Sequence, residues 1–308
     1  MVLSLFLSFA NEGEQMDGFI NLLKPPGMTS SDAVFKVRKM LPRGVKVGHG
    51  GTLDPDAAGV LPVSIGRGTR LFDYMIDKKK TYVTEACLGI ETDTQDASGN
   101  IVARAEVTAS EADIRAAMEK LTGDIMQIPP MYSAVKRGGK RMYDLARSGV
   151  EVALEPRPAR VDAFQYLRAA GPERFLARIE CGKGVYIRTL LNDLGRLLGC
   201  GAHMAFLLRT RAGAFDIADA VTLDELEDVS ARLMPLDAPL MHLEAVNVKA
   251  SCEKWLLNGN PVSVCDLDAI PPADEPVRVY LKGALVAIGQ STGDGWLKAR
   301  TMLAGPEQ

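Results

Sequence analysis

The loop from Gly48 to Val63 constrains this chain more than any other stretch. It reads G-H-G-G-T-L-D-P-D-A-A-G-V-L-P-V, and its first twelve residues hold five glycines and prolines. This content excludes a regular helix or a central strand, so we predict an irregular loop. The apolar run Val60–Val63 would pin that loop to a core.

Four polar side chains lie in this constrained loop: His49, Thr52, Asp54 and Asp56. Loops anchored to a rigid scaffold often carry binding and catalytic groups, so these side chains are candidates for chemistry. Pro55 favours an extended backbone at Asp54. The alternative is an ordinary Asp-Pro turn, in which the Asp side chain caps its own backbone.

The rest of the chain mixes helix and strand patterns without a regular βαβ rhythm, which favours an α+β fold over a doubly wound sheet. Apolar and β-branched runs predict strands, and capping residues with apolar stripes predict helices. The predicted elements are strands at 19–23, 78–89 and within 174–187, and helices from Ser30 or Ser31 to about Leu41, from Ser110 to about Gly123, and from Arg188 to Leu198.

The two ends of the chain differ from its middle. Residues 246–308 carry short β-type runs between Gly/Pro turns, which predicts a small β domain joined through 235–243. Residues 1–15 form an apolar stretch too short to span a bilayer and without the positive start of a secretory signal. We expect 1–15 to be an upstream translation artefact or a disordered tail, and the fold to begin at Met16.

Cysteine and histidine usage argues against a metal site. The five cysteines form no C-x-x-C pair, and the three histidines are far apart in sequence. The cysteine pattern also argues against a disulfide framework and fits a reducing cytosol. We therefore expect no metal and a cytoplasmic protein.

The charge distribution points to nucleic acid more clearly than the net charge of -3 does. Residues 36–80 hold ten Lys/Arg against four acids, whereas residues 212–275 hold thirteen acids against three bases. Phosphates bind to a local positive face, so the basic segment is a candidate for RNA or DNA contact. A solvated surface with uneven charge is the alternative.

Several blocks together resemble one known family. The block G-H-G-G-T-L-D-P at 48–55 follows K-P-P-G at 24–27 and precedes K-T-Y at 80–82. Further blocks lie at 129–134, 184–190 and 201–204. In this order they resemble the bacterial TruB-type tRNA pseudouridine synthases over roughly residues 16–243.

The resemblance implies a fold and a reaction. The fold is the pseudouridine synthase fold, with a central mixed, mostly antiparallel sheet in 16–243 and a small PUA-like RNA-binding β domain in 244–308. The reaction isomerises the uridine conventionally numbered 55, in the T loop of tRNA, to pseudouridine. It needs no cofactor, and the base must be flipped out of its stack first.

The resemblance also implies roles for six residues. Asp54 matches the catalytic nucleophile, and Arg188 matches the active-site arginine that would keep it ionised. The other matches are substrate-binding positions: His49 at the remodelled RNA loop, Tyr82 stacking on the flipped base, Tyr186 as a second active-site tyrosine, and Leu207 near the uracil.

Simpler roles stay open for these residues. His49 could be satisfied by loop carbonyls, Arg188 could be a surface residue at a helix start, and Tyr82, Tyr186 and Leu207 could be core packing.

The expected partner is the T stem-loop of tRNA, bound by a monomer away from any membrane. The basic runs Lys36–Lys46, Lys78–Lys80 and Lys136–Arg147 would line the RNA backbone. One rival is a non-catalytic tRNA-binding chaperone of the same fold. The other is a hydrolase using Asp54 and Asp56, which is disfavoured because two carboxylates flanking one proline would diverge.

Overall fold

The computed structural model describes residues 16–75, 79–130 and 154–304, and the backbone of 136–137 and 140–141. The predictions for residues 1–15, for Lys78 and for the block at 131–134 lie outside the described residues. So does the basic run Lys136–Arg147, apart from that short stretch of backbone. None of the described helices is both long enough and apolar enough to cross a bilayer.

The elements are numbered in chain order. The helices are α1 (Ser30–Lys39), α2 (Glu111–Lys120), α3 (Ile187–Leu198) and α4 (Glu253–Leu257). The strands are β1 (Gly18–Lys24), β2 (Val47–His49), β3 (Ala58–Ile65), β4 (Lys80–Leu88), β5 (Ile90–Thr92), β6 (Ile101–Arg104), β7 (Gly123–Gln127), β8 (Lys136–Arg137), β9 (Lys140–Arg141), β10 (Arg157–Gly171), β11 (Arg174–Cys181), β12 (Ala202–Ala212), β13 (Phe215–Asp216), β14 (Ala245–Val248), β15 (Val262–Ser263), β16 (Pro276–Leu281), β17 (Ala284–Ser291) and β18 (Trp296–Met302).

The prediction of an irregular loop over Gly48–Val63 is wrong at its two ends, where β2 and β3 form despite Gly59 and Pro62, and only residues 50–57 between them are irregular. This Asp54 loop is carried by a large sheet. Its strands run in the order β1-β3-β12-β4-β11-β10-β7, with β2 added beside β3 and β13 beside β12. Strands β3 and β12 run parallel, and the other neighbours along this path run antiparallel. The predicted α+β class and the mixed, mostly antiparallel sheet are therefore confirmed.

Apolar clusters cover this sheet. Helix α1 buries Ala33, Val34 and Val37 in a cluster that also holds residues of β1 and β3. Helix α3 buries Leu190, Leu191 and Leu194 completely, in a cluster with residues of β4, β11 and β12. Burying a leucine side chain stabilises a fold by about 1.5–3 kcal/mol, so the apolar face of α3 fixes it firmly.

The start of α1 differs from the prediction in an informative way. Thr29, rather than Ser30 or Ser31, caps the helix: its hydroxyl accepts from Asp32 N, and the Asp32 carboxylate accepts from Thr29 N. Ser30 does not cap the helix because its hydroxyl is buried against Leu53. The helix ends at Lys39, two residues before the predicted Leu41.

The other two predicted helices are confirmed. Helix α2 starts at the predicted position, where Ser110 and Asp113 form a capping box. Helix α3 begins one residue earlier than predicted, at Ile187, and ends at the predicted Leu198; the next residue, Gly199, has a left-handed φ of 76°, which suits glycine.

The C-terminal residues form a second sheet, in the order β14-β16-β17-β18-β15. It is anchored to the turn that follows β3. Arg67 donates to Leu303 O (2.7 Å) and Arg70 to Met302 O (2.8 Å), while Tyr74 pairs with Thr301 (2.8 Å). Arg67 also forms an ion pair with Asp17 (2.6 Å), so three distant parts of the chain meet at one guanidinium.

Candidate active site

Asp54 lies between β2 and β3 and is held from both sides in the chain. Before it, the Ser30 hydroxyl accepts from Leu53 N (2.9 Å) and donates to Leu53 O (3.1 Å). After it, Pro55 O accepts from Gly27 N (3.0 Å) and from Lys24 Nζ (3.0 Å). The segment from the end of β1 to the start of α1 therefore fixes the backbone of the loop on each side of Asp54.

Lys24, the last residue of β1, stabilises this segment through hydrogen bonds from its ammonium group. The sequence analysis assigned it no role. Its side chain is fully buried, and Nζ also donates to Pro25 O (2.8 Å) and Met28 O (2.7 Å). Burial lowers the pKa of Lys24 to about 8, against the opposing pull of Asp56 and Asp54. The three carbonyls account for its three donor positions.

Arg188 reaches Asp54 from the first turn of α3. Its Nε lies 3.0 Å from Asp54 Oδ2, and its Nη2 donates to Asp54 Oδ1 at 3.2 Å. This two-point contact fixes the carboxylate in direction as well as distance. The Arg188 side chain is 7% exposed, so the alternative of a surface residue is wrong, while Asp54 keeps 37% of its side-chain surface accessible.

The charge state of Asp54 is set by opposing influences. Burial raises the pKa of Asp54 above its ordinary value, and the nearby Asp96 raises it further. The guanidinium of Arg188 opposes both by stabilising the ionised form. Arg188 therefore favours the ionised form of Asp54 against burial and against Asp96.

Asp96 is a second carboxylate at this site, and it is not among the residues predicted from the sequence. Its Oδ2 lies 3.6 Å from Arg188 Nη1, which also donates to Thr94 O at 3.3 Å. Its Oδ1 accepts from the Thr94 hydroxyl (2.7 Å) and from the Ser98 hydroxyl (2.6 Å). The loop between β5 and β6 thus holds Arg188 through its Nη1 atom.

Tyr82 and Leu207 lie in the apolar cluster next to the Asp54 loop. Both are buried in the cluster that includes Leu53 and Ile187, the chain neighbours of Asp54 and Arg188. Burial raises the pKa of Tyr82 to about 12, so the phenol is neutral at physiological pH. Tyr82 is 7% exposed and Leu207 is 6% exposed, so both also have the simpler role of core packing.

Tyr186 immediately precedes α3 and is positioned through its backbone. Gln127 accepts from Tyr186 N (2.8 Å) and donates to Tyr186 O (3.0 Å). The ring is half-buried. This clamp fixes the point at which Arg188 enters the site.

His49 lies at the other end of the loop, where β2 pairs with β3. It lines a cavity of about 490 Å³ together with Phe72 and Lys80, while Asp54 does not line that cavity. His49 Nδ1 is buried and has no hydrogen-bond partner among the described residues, so loop carbonyls do not satisfy it. Burial lowers the pKa of His49, with a smaller contribution from Arg209.

The basic residues near the loop are largely exposed. Lys36, Arg38 and Lys39 lie on the exposed side of α1, and Arg38 also donates to Val47 O at 3.0 Å. Lys79, the first residue described after the gap at 76–78, is 71% exposed. Within the described ranges, no group of three or more His, Cys, Asp and Glu residues could hold a metal ion.

Comparison with known proteins gives two family matches. Residues 38–187 match the model of the N-terminal domain of TruB family pseudouridylate synthases. Residues 188–246 match the model of the tRNA pseudouridylate synthase B C-terminal domain.

Individual relatives agree over most of the chain. A tRNA pseudouridine synthase B of Alkaliphilus oremlandii is 46% identical over 89% of this chain and 93% of its own length. One from Symbiobacterium thermophilum is 49% identical over 80% of this chain and 83% of its own. Among solved structures, a chain of an H/ACA ribonucleoprotein bound to a substrate RNA containing 2′-deoxyuridine matches with a TM-score of 0.71 at 25% identity, over 94% of this chain and 86% of that one.

Proposed function

Since the chain belongs to the TruB family of pseudouridylate synthases, we propose that it isomerises a uridine of tRNA, the one conventionally numbered 55 in the T loop, to pseudouridine. The observation that carries this proposal is the two-point ion pair between Asp54 and Arg188. A carboxylate held in one direction and still 37% accessible can meet an atom of a bound nucleoside.

The chemistry requires a group that can add and then leave. The bond from ribose C1′ to uracil N1 breaks, the base turns, and a bond from C1′ to C5 forms. N1 gains a proton and C5 loses one, so no oxidant, reductant or cofactor enters. An ionised Asp54 can add to the sugar or the base as a nucleophile, or take a proton from the sugar. Each route needs the negative charge that Arg188 supports.

Four further residues form the binding surface in this proposal. Tyr82 and Tyr186 supply aromatic faces to the extruded uracil, and Leu207 supplies an apolar contact. Stacking of a base on an aromatic side chain contributes about 1–3 kcal/mol in single-strand binding, which helps to offset the cost of flipping. His49, at the far end of the loop, contacts the RNA where the target base leaves its stack.

The partner is tRNA, engaged by a monomer in the cytoplasm. The exposed bases on α1, with Lys79 and Lys80, supply positive charge beside the Asp54 loop. We assign residues 16–243 to the catalytic domain and 244–308 to a PUA-like RNA-binding domain. The separate hydrogen-bonding of the C-terminal sheet supports this division.

Replacing Asp54 tests the proposal. We expect wild-type protein to convert unmodified tRNA, with pseudouridine mapped by chemical adduct. Asp54→Asn should abolish conversion while tRNA affinity stays within about twofold, because the substitution changes charge but little volume. Asp56→Asn is the matched control, since Asp56 lies two residues away in the same loop and is exposed.

Each rival has its own outcome in this experiment. Pseudouridine formation by Asp54→Asn would show that Asp54 is not the nucleophile. Tight tRNA binding by a wild-type protein that forms no pseudouridine would favour the non-catalytic chaperone. Free uracil among the products would favour the hydrolase.

A further inference from the structure

Arg209, on β12, is the largest side chain that the described chain buries completely. A guanidinium in the interior is costly unless its N–H groups are matched by acceptors. The hydrogen-bond acceptors around the Arg209 guanidinium therefore indicate the role of this residue.

The carbonyl oxygens that accept from Arg209 belong to residues on both sides of Asp54 in the chain. Arg209 Nε donates to Val60 O at 2.7 Å, which lies after Asp54 in the chain. Nη2 donates to Gly51 O at 3.1 Å and Nη1 to Thr52 O at 3.4 Å, which lie before it. One planar group thus ties together the two limbs between which Asp54 is held.

The backbone of β3 leaves room for Arg209 of β12. Strands β3 and β12 run parallel where Arg209 pairs with Gly59. Gly59 has a φ of 117°, and a Cβ added there would overlap the backbone of Arg209. Glycine at 59 therefore allows the close approach that places the guanidinium inside the loop.

The same guanidinium reaches Tyr82. The two residues are paired across the antiparallel strands β4 and β12, so their side chains share a face of the sheet. Burial raises the pKa of Tyr82, and a hydrogen bond from Arg209 opposes that rise. Arg209 also lowers the pKa of His49 and of Lys24, in each case as a smaller influence than burial.

We infer that Arg209 is a positioning residue for the isomerisation: it holds the Asp54 loop and the Tyr82 hydroxyl in one fixed geometry without itself touching RNA. Its complete burial excludes direct substrate contact in this geometry. The inference rests on the proposed function, since it assigns Arg209 to the same reaction. It predicts that Arg209 affects the rate of the chemical step more than the affinity for tRNA.

The test uses single-turnover conversion of tRNA by the full-length protein. Arg209→Lys keeps the charge and loses the planar fork, so it cannot serve both loop limbs and Tyr82 at once. We expect the single-turnover rate to fall about tenfold to a hundredfold, because small misplacements of reacting groups have effects of this size. The dissociation constant for tRNA should change by less than about twofold in the same variant. Arg178→Lys, an exposed arginine of the same sheet, is the control and should leave both quantities unchanged.

Coupling to Tyr82 separates this role from a structural one. Because Arg209 acts partly through the Tyr82 hydroxyl, Arg209→Lys should lower the single-turnover rate by a smaller factor in a Tyr82→Phe background than in wild type. Effects that multiply independently would overturn the inference, as would a loss of tRNA affinity equal to the loss of rate. Arg209→Met provides the second variant, and failure of both to fold, judged by circular dichroism, would assign Arg209 a purely structural role. A wild-type protein without activity would refute the proposed function instead.

Discussion

Ser30→Ala is the sharpest test of how the loop is held. Ser30 is 2% exposed and Leu53 is 3% exposed, and the hydroxyl both accepts from and donates to the Leu53 backbone. Removing the hydroxyl leaves one buried N–H and one buried C=O without this partner. An unsatisfied buried polar group costs about 1–3 kcal/mol, so two of them, with partial relaxation, lower the free energy of unfolding by about 2–4 kcal/mol.

Ser31→Ala is a matched control, because Ser31 is the next residue of the same helix and is exposed. Any gain in helix propensity, at most about 0.5 kcal/mol, applies to both variants. Urea unfolding followed by circular dichroism gives the free energy of unfolding of each variant from the midpoint and slope of its transition. The rate of conversion should fall about tenfold or more in Ser30→Ala alone, because Asp54 directly follows the freed Leu53.

The reasoning fails if the two variants unfold within about 0.5 kcal/mol of each other, since the Ser30 hydrogen bonds would then contribute little net stability. It also fails in its functional part if Ser30→Ala is less stable but converts tRNA at the wild-type rate. That result would show that Lys24 and Gly27 fix Asp54 without help from Ser30.

Three further predictions follow from the charges of the site. In Arg188→Met the pKa of Asp54 should rise, because the cation that opposes the effect of burial on this pKa is gone. The acidic limb of the pH–rate profile should therefore move to higher pH, and an unmoved profile would contradict the pairing of Asp54 with Arg188. In Asp96→Asn the pKa of Asp54 should fall, because a carboxylate that raises this pKa is lost. The acidic limb of the pH–rate profile should then move to lower pH, whereas the control Asp93→Asn should leave it in place. Affinity for tRNA should fall steeply with added salt, and a flat plot of log affinity against log salt would exclude the basic residues as phosphate contacts.

Local sequence patterns predicted the helices and strands well where the signal was itself local. The capping box at Ser110 and the glycine stop at Gly199 were both readable from spacing alone. The role of Ser30 was not readable in the same way, because its partner is distant in the chain. A serine beside a predicted helix start looks like a cap, but here a partner 23 positions away takes its hydroxyl.

The charged interior of the site was not predictable from sequence. Lys24 ends β1 and Arg209 lies within β12, and no local pattern predicts that either side chain is buried. Only the folded sheet brings backbone carbonyls around them. Asp96 was one of several polar residues in a loop, and nothing local distinguished it from its neighbours. The family resemblance suggested Asp54 and Arg188 as partners, and the structure brings the two together.

The meeting of Asp17, Arg67 and Leu303 has a consequence for synthesis. Arg67 and Leu303 are 236 positions apart in the chain. At about 5–20 residues per second, roughly 10–50 s of translation separate the two. The strand that closes the Asp54 loop is therefore made long before its C-terminal anchor exists. Until β18 is made, the nascent chain can hold β1 and β3 together through their own antiparallel pairing and the Asp17–Arg67 ion pair, without the contacts of Arg67 and Arg70 to residues 302–303.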